Sequence, residues 1–403
     1  MKLKKSISKT FILYVLLLIP FFEPQTFEMF EGYKIFPGFW DAITKIFSIS
    51  RLSIAGIAIL NSIRGKNKSG NVVFYLVLFV IFEDIASFVN GSLYLQYFVG
   101  SISIVGFVIL CDHMLSKNYR HFIYASVFFF GLCSVLGAIQ IILQPYGLYN
   151  PTWGTAYAVY LLGSKNTSIF YYLAFLYFFL IWNFYKGRSN VKVAGFIILF
   201  AVSMYYCDSM NSLLALFIVV VFLLLIRYAK IIMRFLGVYR LVFIALCATL
   251  IIVLPNIREI FKPILALAGR DTTFTGRDVL WEQAIKMTAR NPVWGAGINV
   301  GFVLATGASM SHAHSYFLDQ LARYGMVSFA FLSFAFLAVI RKIKNSKITY
   351  IKNINIVFVF TIIIHSVIDQ MNIFFLIIFL ISMSRTMEHE KNGHEIQYGG
   401  KYK

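Results

Sequence analysis

Apolar stretches long enough to cross a bilayer follow one another along almost the whole of this 403-residue chain. A helix needs about 20 apolar residues to cross a hydrocarbon core roughly 30 Å thick. Such stretches run over residues 10–30, 40–61, 71–90, 93–111, 120–143, 167–185, 191–207, 210–228, 238–255, 324–340, 353–368 and 371–385. The sequence therefore predicts an all-α polytopic integral membrane protein, with about twelve transmembrane helices in a single membrane domain spanning residues 1–403.

The composition agrees with this class and gives the high net charge a simple explanation. Hydrophobic residues make up 59% of the chain and charged residues only 13%, which excludes an ordinary soluble protein. A net charge of +19 is also typical of nucleic-acid-binding proteins, but most Lys and Arg residues here fall in alternate connections between the spans. Basic connections stay in the cytoplasm, so both termini are predicted to be cytoplasmic and no nucleic-acid partner is expected.

Two outward connections are longer than a link between two helices needs to be, residues 144–165 and residues 256–323. Residues 256–323, between the ninth and tenth spans, are the predicted long extracytoplasmic loop with short helices. Residues 386–403 are predicted to be a disordered cytoplasmic tail. We expect the chemistry of the protein to lie in the long loop.

The long loop is basic although it is predicted to face outward. Its basic residues are Arg258, Lys262, Arg270, Arg277, Lys286, Arg290 and Arg323. An anionic ligand is the simplest reason for such a cluster. The alternative is that long loops cross the membrane regardless of charge and that these residues pair with acidic residues of the same loop.

A helix is predicted within this loop, with Thr275 as its N-cap. An apolar stripe at helical spacing runs from Leu280 to Met287, and the Asn-Pro pair at Pro292 ends the pattern. The stripe indicates packing. Arg277, in the first turn, is the candidate anion ligand.

Gly295 and Gly297 flank one alanine shortly after this helix. Glycines at this spacing can let backbone N–H groups approach an oxyanion, but a tight turn is the alternative, because a single Gly-x-Gly is weak evidence. No strand precedes the pair, so a dinucleotide-binding fold is excluded.

Two histidines, His312 and His314, precede a helix that leads into the tenth span. If Ser311 caps this helix, His314 lies in the first turn, where free N–H groups and the helix dipole favour an anion. Histidine in that place can act as a general base toward a hydroxyl; a structural histidine is the alternative. A shared metal would need carboxylates at ligand spacing, and none is present, so no metal is expected.

Two further ionisable residues are functional candidates whose roles stay open. His365 lies inside a span near Asp369, and ionisable residues within a membrane are often functional. A histidine close to the end of a span can equally cap or hydrate its helix. Asp208 lies with Ser209 in an unusually polar turn between the seventh and eighth spans.

The stretch from Thr275 to Gly325 resembles the signature of the O-antigen ligase and Wzy-type polymerase superfamily of bacterial polysaccharide assembly. The similar elements are Thr-Gly-Arg ending at Arg277, then Trp281, then Asn-Pro-x-x-Gly-Ala-Gly with Gly295 and Gly297, then His-Ser-x9-Gly from His314 to Gly325. Ser328 stands where the family usually has a second glycine.

Two weaker matches lie outside the loop. Lys165-Asn166 resembles a Lys-Asn pair that opens a central helix in many members, and Asp208-Ser209 lies in a turn similar to the family's Ser-Arg-Gly turn. Met210 stands where arginine is typical, so Arg270 or Arg290 would have to supply that anion contact.

The resemblance implies a metal-independent membrane glycosyltransferase without a cofactor, in the cytoplasmic (inner) membrane of a bacterium with its site facing the periplasm or the exterior. The donor would be a glycan on a polyprenyl diphosphate such as undecaprenyl diphosphate. Arg277 would stabilise the diphosphate and His314 would take the proton of the acceptor hydroxyl. Substrate-binding roles are expected for Arg270, Arg290, Arg323, His312, Lys165, Asn166, Asp208, Ser209, Trp281, Gly295 and Gly297.

Three functions are consistent with these sequence features. A polymerase of O-antigen, capsule or exopolysaccharide repeat units would act among membrane lipids, with a chain-length regulator protein as a partner. An O-antigen ligase would use the same motifs to transfer glycan to lipid A–core. A lipid-linked oligosaccharide flippase or exporter should carry polar residues at the membrane midplane and two similar halves, and neither feature is evident in the sequence.

Overall fold

The computed structural model describes residues 2–36, 38–64, 70–150, 158–187, 191–228, 237, 239–244, 247, 276–304, 306–346 and 348–391. Nearly all regular structure in these ranges is helical. The helices are α1 (Lys2–Leu18), α2 (Thr26–Gly32), α3 (Phe39–Arg64), α4 (Asn71–Val89), α5 (Leu95–Leu143), α6 (Ser168–Tyr185), α7 (Val191–Tyr206), α8 (Met210–Tyr228), α9 (Arg277–Arg290), α10 (Tyr316–Lys344), α11 (Thr349–Ile368) and α12 (Ile373–Lys391), with a short 3-10 helix at Ile19–Phe22.

Eight helical segments of the described chain are long and apolar enough to cross a membrane. The longest, α5, has 49 residues and would extend about 74 Å at 1.5 Å per residue, more than twice a hydrocarbon core. It bends at Asn118, whose φ of −145° and ψ of 65° are not helical. Its two arms correspond to the fourth and fifth predicted spans. The predicted all-α polytopic membrane class is confirmed.

The remaining predicted spans fall on α1, α3, α4, α6, α7, α8, α10, α11 and α12. The ninth, residues 238–255, lies mostly outside the described residues. The count of about twelve spans and the cytoplasmic position of both termini therefore stay predictions.

Helix α6 is the centre of the bundle. It is apolar on every side and almost all of its residues are buried, as expected of a helix surrounded by other helices. Helices α5, α7, α8, α11 and α12 pack around it. By contrast, α3 exposes Ile46, Ile49, Ile57 and Ile63, as a helix that faces lipid does.

An ion-pair network joins α5, α10 and α12 at one end of the bundle. Arg385 donates from Nε and Nη2 to the two carboxylate oxygens of Asp112, at 2.6 Å each. Arg385 also pairs with Glu388, whose other oxygen accepts a 2.5 Å hydrogen bond from Lys342. A bidentate arginine–carboxylate pair fixes geometry as well as charge, so these three helices are held in register there.

The predicted disordered tail begins too early. Helix α12 continues to Lys391, because residues after 385 still contact other helices. The Thr386 hydroxyl lies 2.8 Å from Tyr119 Oη in α5, and Glu388 belongs to the ion-pair network. Residues 392–403 lie outside the described residues.

The described part of the long loop is folded. It holds α9, a short antiparallel pairing of β1 (Phe302–Val303) with β2 (Ser309–Met310), and the first turns of α10. These pieces share a small apolar core made of Leu280, Ala284, Phe302, Ala313 and Ala322. The two helices predicted in this region are confirmed, and α9 has Asn291 as its C-cap.

Candidate active site

A single buried carboxylate, Asp369, gathers side chains from four distant parts of the chain. Its Oδ2 accepts hydrogen bonds of 2.9 Å from Nδ2 of both Asn166 and Asn211. Nη2 of Arg277 lies 3.7 Å from the same oxygen, and Nδ1 of His314 lies 3.6 Å from Oδ1. The carboxylate is only 6% exposed. Two of the predicted site residues, Arg277 and His314, therefore lie beside the same carboxylate.

The turn between α11 and α12 places Asp369 there. Asp369 is the C-cap of α11, and its extended backbone leads the chain out of the helix. Its N–H bonds the carbonyl of His365 at 2.9 Å, and its own carbonyl accepts the N–H of Tyr316 at 3.2 Å. The first residue of α10 is thus tied to the end of α11.

Asp369 is ionised at neutral pH. Burial alone would raise the pKa of its carboxyl, but the contact with the His314 ring and the positive charge of Arg277 outweigh burial and hold the pKa well below its usual range. Asn211 contributes in the same direction through its hydrogen bond. These contacts therefore favour the ionised form of the carboxyl.

His314 stands just outside α10. The helix begins at Tyr316 with Ser315 as its N-cap, so the prediction that Ser311 caps the helix and that His314 lies in its first turn is wrong. His314 has a φ of 51°, a left-handed conformation that costs about 1–3 kcal/mol for a residue other than glycine. This backbone points Nδ1 at Asp369, while the side chain stays 20% exposed. Nε2 has no hydrogen-bond partner among the described residues and is available to a substrate.

Arg277 is the first residue of α9, and its guanidinium is anchored to the end of α11. Gly276 is the N-cap, in a left-handed conformation with a φ of 80°; Thr275, the predicted cap, lies outside the described residues. Nη1 of Arg277 donates to the carbonyl of Ile368, and Nη2 faces Asp369. Because a guanidinium has five N–H donors, others are left for an anion.

Residues 195–333 of the chain match the family model described as O-Antigen ligase. The predicted resemblance to the O-antigen ligase and Wzy-type polymerase superfamily is confirmed. The O-antigen ligase match contains Arg277, His314 and Asn211, whereas Asn166 and Asp369 lie outside it. A search among curated proteins gave no match.

The two weaker motifs of the O-antigen ligase resemblance meet beside this centre. Lys165 Nζ donates to the carbonyl of Asp208 at 3.1 Å and lies 3.8 Å from its Oδ2. Ser209 Oγ donates to Oδ1 of Asn166 at 2.8 Å, and Asn166 in turn donates to Asp369. The Lys-Asn pair and the polar turn thus form one hydrogen-bonded unit with the buried carboxylate.

His312 packs against His314 and is neutral. The two ring centroids are 4.4 Å apart at 63°, and Nδ1 of His312 lies 2.9 Å from Ser311 Oγ. Burial, and next the neighbouring His314, lower the pKa of His312 to about 4. His312 can therefore offer a substrate a hydrogen bond but no positive charge at neutral pH.

Arg323 braces the loop that carries both histidines. Nε donates to Asp319 Oδ2 at 2.9 Å, and the two terminal nitrogens donate to the carbonyls of Ile298 and Ser311. Asp319 also accepts the N–H of Ala313 at 3.1 Å. All three guanidinium nitrogens of Arg323 thus bond within the protein, and they tie this loop to the start of α10.

The glycines of the motif allow two backbones to cross. Gly297 and Ala296 donate their N–H groups to the carbonyls of Arg323 and Ala322, at 2.8 Å each. A Cβ on Gly295 would lie 2.4 Å from the Arg323 carbonyl carbon, and one on Gly325 would lie 2.2 Å from the Val293 oxygen. The turn interpretation is favoured, because the N–H groups of Ala296 and Gly297 are not free for an oxyanion.

Three predicted site residues remain: Trp281, Arg290 and Arg270. Trp281 is buried in α9. Arg290 is exposed at the far end of α9, about 20 Å along the helix from Arg277. Arg270 lies outside the described residues. Within the described ranges, no group of three or more metal-binding side chains is present.

The sequence places Asn211 in the polar turn at Asp208 and Asp369 beside His365, but it assigns neither residue a role of its own. His365 is buried below Asp369, with its ring edge-on to Phe170 and neither ring nitrogen hydrogen-bonded within the described chain. An acidic residue between two apolar spans was the available signal for Asp369; nothing in the sequence distinguished Asn211 from other polar residues.

Proposed function

We propose that this protein is a polysaccharide repeat-unit polymerase. It transfers glycan from a polyprenyl diphosphate carrier to a lipid-linked acceptor sugar on the outer side of the cytoplasmic membrane. The observation that carries the proposal is the approach of Arg277 and His314 to opposite oxygens of Asp369. That arrangement supplies a cation for a leaving diphosphate and a base for an attacking hydroxyl in one place.

The reaction follows from these two side chains. The acceptor hydroxyl gives its proton to Nε2 of His314 as its oxygen forms a bond to the anomeric carbon of the donor. The bond from that carbon to the diphosphate oxygen breaks, and the diphosphate leaves with the electron pair. Arg277 stabilises the negative charge that develops on the leaving group. The proton on His314 then passes to solvent or to the departing diphosphate.

Asp369 positions both groups. Facing Nδ1 of His314, it favours the tautomer whose proton sits on Nδ1, so Nε2 carries the lone pair. It also stabilises the imidazolium that forms during transfer, as a buried carboxylate does for the histidine of a serine protease. The 3.6 Å separation is longer than a hydrogen bond, and we expect it to shorten when substrate fills the site.

Lys165 supplies a second cation next to this centre. Its neighbour Asn166 contacts Asp369 directly, and Lys165 is 22% exposed. We assign Lys165 to the second phosphate of the carrier. The membrane-embedded part of the bundle would hold the polyprenyl tail, and a chain-length regulator remains the expected partner protein.

Ligation of glycan to lipid A–core is the second candidate, because the matched family model is described as O-Antigen ligase. The chemistry at Asp369 would be the same and only the acceptor would differ. Deleting the gene in its host separates the two. Single repeats on carrier or core support polymerase, whereas long polymer retained on the carrier and missing from lipid A–core supports ligase.

The site itself is tested with purified protein in nanodiscs and a lipid-linked repeat unit. Arg277→Ala and His314→Ala should each abolish polymer while protein level and fold are kept. Lys286→Ala is the matched control, because Lys286 is an exposed cation of the same helix that pairs with Glu282 at 2.7 Å. Normal chain lengths in either site variant would contradict the proposal.

A further inference from the structure

A cavity of about 220 Å³ lies between α4 and α10. Arg341 lines it. Helix α10 bends at Gly325, whose φ of 72° is not helical, and Arg341 stands about 24 Å beyond this bend, at 1.5 Å per residue. That length is most of a hydrocarbon core roughly 30 Å thick, and the candidate active site lies on the other side of the bend. The cavity and the candidate active site therefore belong to opposite membrane faces.

The lining changes from polar to apolar along the helix axes. On α10 the lining residues Phe334, Leu337, Ala338 and Arg341 fall on one helical face, because they are spaced by three or four residues. Arg341 is nearest the helix end and the apolar residues lie deeper. On α4, Tyr75 lies one turn deeper than Asn71, and its ring centroid is 5.6 Å from that of Phe334. The cavity thus has a polar mouth and an apolar, aromatic wall.

The mouth of the cavity is basic, because Arg341 and Lys342 line it. Among the described residues, no acidic side chain lines the cavity. Lys342 is matched by Glu388 at 2.5 Å, but no ion pair of Arg341 is found in the part of the chain that the structure describes. The first turn of α4 has N–H groups that its N-cap, Gly70, does not bond through a side chain. The Glu388 carboxylate lies beside Gly70, but it already pairs with both Lys342 and Arg385.

We propose that this cavity binds an anionic phospholipid, with the headgroup phosphate between Arg341 and the first turn of α4 and an acyl chain against Tyr75, Phe334 and Leu337. Basic sites between transmembrane helices are suited to such headgroups. Free phosphate would leave the apolar wall without a ligand. The wall also continues to the membrane-facing surface, since Phe334 is 45% and Leu337 38% exposed.

The test counts lipids retained by the full-length protein, using native mass spectrometry with phosphatidylglycerol and phosphatidylcholine of matched chains. Wild type should retain phosphatidylglycerol in preference to phosphatidylcholine. Arg341→Gln should weaken that binding about fivefold, the effect of one basic residue near a charged headgroup. Lys344→Gln is the control, because it removes the same charge from the same helix end without lining the cavity. Equal binding by the two variants would overturn the proposal.

A second variant tests the apolar wall with all charges kept. Ala338→Phe fills the cavity and should expel the lipid although Arg341 is intact. Three results would contradict the phospholipid assignment. The variant could retain phosphatidylglycerol, or equimolar inorganic phosphate could displace phosphatidylglycerol from wild type. Wild type could also bind polyprenyl phosphate in preference to phosphatidylglycerol. The readout is binding alone, so its result does not depend on the proposed glycan transfer.

Discussion

Nδ1 of His314 faces Oδ1 of Asp369 at 3.6 Å, and the carboxylate is almost fully buried. This pair joins a left-handed loop residue before α10 to the turn after α11. It turns Nδ1 of His314 toward the buried carboxylate and leaves the side chain 20% exposed.

Asp369→Asn keeps the shape of the side chain and removes its charge. The imidazolium formed during transfer then loses its counterion, and the tautomer of His314 is no longer fixed. We expect a loss of about 10²- to 10⁴-fold in transfer rate, the range of a general-base contribution, at unchanged protein level. Asp41→Asn, an exposed residue that pairs with Lys45, should transfer glycan like wild type. A fully active Asp369→Asn would exclude a role for the carboxylate.

Arg277→Lys tests whether geometry matters beyond charge. Lysine cannot contact Ile368, Asp369 and a phosphate with one planar group. Losing one hydrogen bond to a charged group costs about 1.5–3 kcal/mol, so transfer should fall roughly 10- to 100-fold. The measurement is kcat/KM for the lipid-linked repeat unit. Full activity of the lysine variant would show that a point charge suffices.

The pH dependence of the free energy of unfolding should report the protonation of His312. Burial lowers its pKa to about 4, below the unfolded value of about 6.5. Between these two values the unfolded chain binds more protons, so stability falls as pH falls. From pH 7 to pH 5 the loss should be about 2 kcal/mol. His312→Asn should remove most of this dependence in thermal unfolding of the purified protein; an unchanged pH profile would refute it.

Gly325→Ala should destabilise the close approach of the α10 backbone to the Val293 backbone. Gly325 has a φ of 72°, and a Cβ there would overlap the Val293 carbonyl. We expect a loss of at least about 2 kcal/mol, seen as a lower Tm. Gly195→Ala is the control, because nothing lies within 4 Å of its added Cβ and alanine favours the helix. Equal Tm values for both variants would contradict the close crossing.

Arg323→Ala should differ from Arg277→Ala in its effect on stability. Arg323 is 8% exposed and removing it leaves Asp319 as an unpaired buried charge, which costs about 3–5 kcal/mol. The Arg323 variant should therefore lose Tm and activity together. A variant with normal Tm but no activity would return Arg323 to the substrate-binding role that the sequence suggested.

Much of the fold was predictable because its signals are local. Apolar length alone locates the spans, and the Asn-Pro pair ends α9 where the structure ends it. Arg277 and His314 were selected from short motifs, since the residues of each motif are neighbours in sequence. The N-cap of α10 was misplaced because Ser311 and Ser315 are both acceptable caps. In the structure the helix begins after Ser315, where the N–H of Tyr316 bonds the carbonyl of Asp369.

The sequence by itself determined the membrane class, the basic loop and the two short stretches that carry the candidate base and cation. Only the tertiary structure decided that Asp369 is their common partner, because Asn166 and Asp369 are 203 residues apart and no local pattern encodes such a contact. Tertiary packing likewise decided that the Arg323 guanidinium and the N–H groups of Ala296 and Gly297 bond within the protein. A buried polar group must find its hydrogen-bond partners wherever the packed helices bring them.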